Sequence, residues 1–272
     1  MPENQSNETP TQIFIPGVSA EGTSAERIRI HHVFILDASG SMKPLQNQTI
    51  TGFNEQVQNI RQLEQQHPNQ EQLVTLAVFN GSPNIRFFDT SSVSLQEITE
   101  ADYSPNGSTN LYGTVGEVVT RLKNTLGNRC SQERVIITIM TDGENTDHSE
   151  WTQNRVAELL QQVQADHSWV VTFIGANINV TQAAHQLNIP VSNTASYTAS
   201  AASTRRAFAE SARARSSYLM HMPVVGAAAT VGYLSTDLSR GLDLTDASAA
   251  ANASLDVDDP TLRPISRRVP TP

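Results

Sequence analysis

The chain has a single cysteine, Cys130, in 272 residues, so no internal disulfide braces it. Aromatic residues are few, at 6%, and charged residues make up only 17%. The charge is mostly of one sign: 18 Lys and Arg against 27 Asp and Glu leave a formal net charge of −9. An acidic chain repels a phosphate backbone at long range, which sets nucleic acid aside as a partner. No apolar run approaches the ~18 residues needed to cross a bilayer. The longest late stretch, residues 222–234 (MPVVGAAATVGYL), is short and broken by glycines, so no membrane partner is expected. The opening residues, MPENQSNETP, lack the apolar segment of a signal peptide. These absences point to a reducing, cytoplasmic setting, in which sequons such as that at Asn106 are chance.

An apolar fraction of 38% suffices for one core but is lean for a chain packed throughout. Residues 1–26 are rich in Asn, Gln, Glu, Ser, Thr and Pro and read as a disordered leader. Residues 27–220 read as one domain, with a core at about 28–195 and a C-terminal helix. Residues 221–272 read as a mostly disordered tail, because their composition turns to Ala, Ser, Asp, Pro and Thr.

Within the domain, short apolar runs alternate with helical patterns. The run Ile30–Leu36 is nearly continuous, as in a strand buried on both faces. Ile50, Phe53, Val57, Ile60 and Leu63 then recur at helical spacing, and Pro68 closes that helix. A strand Leu73–Phe79 meets a second run, Ile85–Phe88, across the turn at Asn80–Pro83, which predicts a hairpin and one antiparallel edge strand. Leu111 to Leu126 forms a helix, Val135–Met140 a strand, Trp151 to Val163 a helix and Trp169–Ile174 a strand. Val180 to Leu187 forms another helix. Ile189 to Val191 begins a last short strand, and Tyr197 to Met220 is helical by propensity. This rhythm predicts an α/β fold: a doubly wound, Rossmann-like, mostly parallel sheet with one antiparallel edge strand and helices on both faces. In such sheets ligands bind beyond the C-terminal strand ends.

Those ends carry the chemistry. The first strand runs into Asp37, Ser39 and Ser41, three oxygen-bearing residues separated by the small Ala38 and Gly40. The strand at Val135–Met140 runs into Thr141-Asp142-Gly143. Between them a turn-rich loop carries Thr109 to the start of a helix. A hard cation takes oxygen ligands, and neutral hydroxyls hold it without quenching its charge, leaving it able to bind an anion. Each piece has a plainer reading alone: Asp-Gly is ordinary turn chemistry and Thr109 is a helix N-cap.

D-x-S-x-S, a Thr in a G-S-T loop and T-D-G, in that order, resemble the metal-ion-dependent adhesion site of von Willebrand factor A domains. The resemblance covers about residues 28–195. It implies a divalent metal at Asp37, Ser39, Ser41, Thr109 and Asp142, with Mg2+ expected and Mn2+ or Ca2+ as alternatives. It implies direct contact through Ser39, Ser41 and Thr109 and water-mediated contact through Asp37 and Asp142. It also implies capture of an Asp or Glu carboxylate from a protein partner. The order of motifs, with Phe173–Asn177 after the fourth-strand site, is similar to compact intracellular A domains of bacterial and phage type.

Two other functions stand beside a binding module. A Mg-dependent phosphohydrolase would need an Asp where Ser39 stands, and the five residues include no good proton-transfer group. The chain has no G-x-S-x-G elbow, Walker loop or G-x-G-x-x-G, so no catalytic residues are assigned and no enzyme is expected. A structural or assembly subunit with a fold-bracing metal is the third reading. His31 and His32 read as packing residues, Cys130 as a small buried thiol, and Glu144, Asp147 and His148 as a solvated loop near the site. Arg205, Arg206, Arg213 and Arg215 read as a solvated helix face.

Overall fold

The computed structural model describes residues 27–129, 133–148, 150–165, 168–220 and 242–244. The leader, most of the tail and Cys130 lie outside the described residues.

Among the described residues seven strands form one sheet in the order β3-β2-β1-β4-β5-β6-β7. They are β1 Ile28–Asp37, β2 Gln70–Phe79, β3 Pro83–Ser91, β4 Arg134–Thr141, β5 Trp169–Gly175, β6 Thr194–Tyr197 and β7 Leu242–Leu244. β3 runs antiparallel to β2 at the sheet edge, and the other neighbours pair in parallel. β7 falls in the stretch read as tail, where it extends the sheet beyond β6.

Among the described residues five α-helices connect the strands: α1 Gln46–Gln66, α2 Leu111–Leu126, α3 Gln153–Gln164, α4 Val180–Gln186 and α5 Ala201–Met220. Alternation along β1 sends its side chains to opposite faces. Ile30, Phe34 and Leu36 pack with Phe53, Val57 and Ile60 of α1 and Phe208 of α5. Val33 and Ile35 pack with residues of α2, α3 and α4. The Phe34 and Phe53 rings meet edge to face at 5.3 Å, an arrangement that adds about 0.5–1.5 kcal/mol beyond burial.

The chain winds outward from β1 to β2 and β3, then crosses back through α2 to β4 on the other side of β1. The reversal lies between β1 and β4, so the chain leaving β1 and the chain leaving β4 turn to opposite faces and leave a crevice.

Three details differ from the sequence-based expectations. The last strand of the core begins at Thr194, because Val191–Asn193 form a 3-10 turn closed by the Asn193 amide donating to the Pro190 carbonyl at 2.8 Å. Trp151 precedes α3, whose N-cap is Thr152. Arg215 is buried, at 1% exposure, although Arg205 and Arg213 are exposed as expected. The Arg215 guanidinium lies 4.8 Å over the Phe34 ring and donates to the Gln56 side chain, and Gln56 in turn donates to the Phe208 carbonyl at 2.7 Å. Periodicity did not single out Arg215 because α5 packs against α1 and presents little apolar surface of its own. No helix among the described residues is long and apolar enough to cross a membrane.

Candidate metal centre

Three loops meet at the β1–β4 crevice, and backbone hydrogen bonds zip them together. The loop after β1 is tied to β2 by the Ala38 amide donating to the Phe79 carbonyl at 2.6 Å. It is tied to the loop before α2 twice: Asn106 N–H donates to Ala38 O at 2.8 Å, and Gly40 N–H to Gly107 O at 3.1 Å. Gly107 adopts φ +72°, a left-handed conformation that glycine takes without steric cost. Gly40 is less constrained: an added Cβ would sit 3.6 Å from the Gly107 oxygen, an ordinary contact. Of the two, Gly107 is the position whose backbone calls for glycine.

Side chains complete the convergence. Ser41 Oγ donates to Asp142 Oδ1 at 2.7 Å, and Ser39 Oγ and Ser41 Oγ lie 3.1 Å apart. Because the one hydroxyl proton of Ser41 goes to Asp142, Ser39 is the donor of that pair. Asp37 is held at both carboxylate oxygens: Oδ1 accepts from Ser39 N–H at 2.7 Å and Oδ2 from Thr141 Oγ1 at 2.6 Å. The Tyr103 hydroxyl donates to the Asp37 carbonyl. Thr109 is anchored to the loop after Asp142, giving its amide to Thr146 Oγ1 at 3.0 Å and accepting the Thr146 amide at 3.0 Å. Asn110, rather than Thr109, caps α2, accepting the Gly113 amide at 3.0 Å. The N-cap reading of Thr109 is thereby removed, and its hydroxyl is left out of helix capping.

Asp37, Ser39, Thr109 and Asp142 are buried, and Ser41 is exposed. Burial pushes the Asp37 carboxyl above its ordinary range, against the hydrogen bonds of Thr141 and Ser39, and the nearby Asp142 charge adds to the rise. Burial likewise pushes Asp142 up, opposed by the Ser41 hydrogen bond. Neither carboxylate takes part in an ion pair among the described residues. Two buried carboxylates joined to the Ser39 and Ser41 groups, in no ion pair, form an all-oxygen donor set short of positive charge. Such a set fits a hard divalent cation. Among the described residues there is no cluster of three or more His, Cys, Asp or Glu arranged to hold a metal.

Sequence reasoning passed over Thr141, Tyr103 and Thr146. Thr141 had a signal, since it adjoins Asp142 at the predicted strand end. The other two are set by loop packing, which no local pattern records.

The two histidines stay away from this edge. His31 sits between Asp89 and Glu133, with its Nδ1 2.6 Å from Asp89 Oδ1 and its Nε2 2.6 Å from Glu133 Oε2. It stitches β3, β1 and the start of β4 together. His32 donates from Nε2 to Gln72 Oε1 at 2.7 Å on the opposite face.

The sequence profile of the von Willebrand factor type A domain matches residues 33–210, and the chain belongs to that family. It is a member of a family of protein-interaction and adhesion modules. Its fold is similar to that of the PilB minor pilin from Streptococcus sanguinis, at 12% identity and a TM-score of 0.50, covering 69% of this chain and 61% of that one. It also matches the ArnB paralog VWA2 from Sulfolobus acidocaldarius, at 18% identity and a TM-score of 0.46, covering 67% and 44%. Proximal thread matrix protein 1 from the mussel byssus matches at 14% identity and a TM-score of 0.49, covering 69% and 46%. A further structure of that byssus protein is described as having zinc in its adhesion-site motif. The chain thus spans less than two thirds of each of these proteins. No curated protein matches it in sequence.

Proposed function

We propose that this chain is a metal-dependent protein-binding module that captures an acidic residue of a partner. Asp37, Ser39, Ser41, Thr109 and Asp142 would hold the cation, Mg2+ first and Mn2+ or Ca2+ as alternatives. The observation that carries the reading is the run of oxygens from Ser39 through the exposed Ser41 to Asp142, at 3.1 and 2.7 Å. The bound ion would supply a Lewis-acidic position open to an incoming carboxylate. Asp37, with both oxygens already accepting hydrogen bonds, keeps its carboxylate fixed, while Ser41 is exposed to an incoming group.

The module is read as non-enzymatic. Its three hydroxyls are poor bases, its two carboxylates would be committed to holding the ion, and His32 stands five residues from Asp37 along β1, roughly 16 Å at the usual strand rise. An acidic chain with a single cysteine fits a cytoplasmic setting, with a protein rather than nucleic acid as partner.

The test is affinity capture by the full chain in Mg2+, in EDTA, and with Ser39→Ala, with an excess of a Glu-containing peptide as competitor. Capture lost in EDTA, in Ser39→Ala and under competition supports the reading. Capture that persists with Ser39→Ala in Mg2+ refutes it.

A further inference from the structure

Beside the crevice, on the α2–α3–α4 face, lies a cavity of about 590 Å³, within the usual range of ligand sites. Its wall begins at Gly143, one residue after Asp142, and at Leu111, two residues after Thr109. Its lining is mixed: Leu111, Tyr112, Trp151, Phe173 and Leu187 supply the apolar part. Glu144, Asp147 and His148 line it too, with the amides of Asn145, Asn179, Gln182 and Gln186.

Trp151 is held firmly in this wall. Its indole packs on Gly116 of α2, where an added Cβ would lie 2.0 Å from the ring. The Arg155 guanidinium covers the ring at 4.3 Å. Glu144, Asp147 and the nearby Glu150 enter no ion pair among the described residues. Apolar side chains beside a rim of carboxylates that enter no ion pair complement a side chain with an aliphatic stem and a cationic head.

Resting on the metal-dependent reading, we propose that this cavity is a second subsite for the same partner, taking a Lys or Arg close in sequence to the captured carboxylate. The stem lies along Tyr112, past the edge of Trp151, and the head meets Glu144 and Asp147. The offset is short, because the cavity opens one residue from Asp142 and an extended chain advances about 3.3–3.6 Å per residue. The recognised motif is therefore one acidic and one basic residue within a few positions of each other. The acidic rim also disfavours partners whose captured residue has further acidic neighbours.

The experiment uses the full chain and short synthetic peptides, each with one Glu. A Lys, a norleucine or a second Glu is placed one to four residues away. Affinity is measured with Mg2+ and with EDTA, with tryptophan fluorescence as a local readout, since the only other Trp of the chain, Trp169, is buried in β5. At the best offset the Lys peptide should bind about fivefold more tightly than its norleucine counterpart and change the Trp emission. The combined substitution Glu144→Gln with Asp147→Asn should erase that difference. Equal Mg2+-dependent binding of the Lys and norleucine peptides overturns the subsite and leaves the metal reading standing. A Lys preference that survives EDTA and Ser39→Ala supports the subsite and overturns the metal reading. No binding by any peptide counts against both.

Discussion

The sharpest consequence of two buried, unpaired carboxylates is a trade between stability and metal binding, and Asp142→Asn separates the two. In the wild-type chain burial raises both Asp37 and Asp142, and the Asp142 charge adds to the rise at Asp37. The folded state therefore holds these protons more tightly than the unfolded chain does. Metal-free stability consequently falls as pH climbs from the ordinary carboxylate range through the raised values. A divalent ion takes the place of those protons, so its stabilisation grows over the same window and then levels off. At a hundredfold excess over Kd the ion contributes about 2.7 kcal/mol, and a domain of this size gains about 2–4 °C per kcal/mol, so Mg2+ should raise Tm at neutral pH by roughly 5–11 °C. Asp142→Asn keeps an oxygen to accept the Ser41 hydroxyl but removes the charge. In EDTA it should melt at or above the wild-type temperature, and Mg2+ should no longer shift it. Differential scanning calorimetry across pH, with and without Mg2+, reads both effects. A wild-type Tm indifferent to Mg2+ at neutral pH would refute the reasoning. So would an Asp142→Asn variant that melts well below wild type in EDTA, which would make the carboxylate a structural acceptor.

Further outcomes follow from neighbouring contacts. Thr141→Val removes the hydroxyl that donates to the buried Asp37 Oδ2. It should cost about 1.5–3 kcal/mol in denaturant unfolding and weaken Mg2+ binding by about tenfold or more in calorimetric titration. Burial, with the Arg215 charge, depresses the His32 imidazole from 6.5 to about 3. The unfolded chain therefore binds the extra proton first, and the His32 contribution to stability, complete above 6.5, is lost as pH falls toward that lower value. The slope from this one proton should reach about 1.4 kcal/mol per pH unit in acid unfolding curves, and His32→Asn should flatten it. Arg215→Ala strands the buried Gln56 oxygen and uncovers Phe34, and should cost about 3 kcal/mol or more. Arg205→Ala on the exposed side of α5 should stay within about 0.5 kcal/mol of wild type; equal effects of the two would contradict the packing of α5 on α1.

Local pattern determined a good deal of this protein. The continuous apolar runs at Ile30–Leu36 and Val135–Met140 declare strands buried on both faces, because only a sheet covered by helices on each side can hide such runs. The apolar spacings of α1 and α2, and the short turn before β3, likewise follow from chain-local geometry. From these the doubly wound topology follows, and with it the edge where Asp37, Ser39, Ser41, Thr109 and Asp142 should meet.

Tertiary structure decided what depends on residues far apart in the chain. Whether Thr109 caps α2 or turns elsewhere was open until Asn110 took the cap. The clamp of Thr141 on Asp37 spans more than a hundred residues and arises from the parallel pairing of β1 with β4. Arg215 looked like one more exposed charge on a polar helix, and only its neighbours Gln56 and Phe34 make it a buried one. The cavity beneath Glu144 exists because α2, α4 and the loop after β4 close around Trp151, and no sequence period records that. A sequence carries the periods that place elements, while side chains from distant strands set which hydroxyl, carboxylate or guanidinium finds a partner.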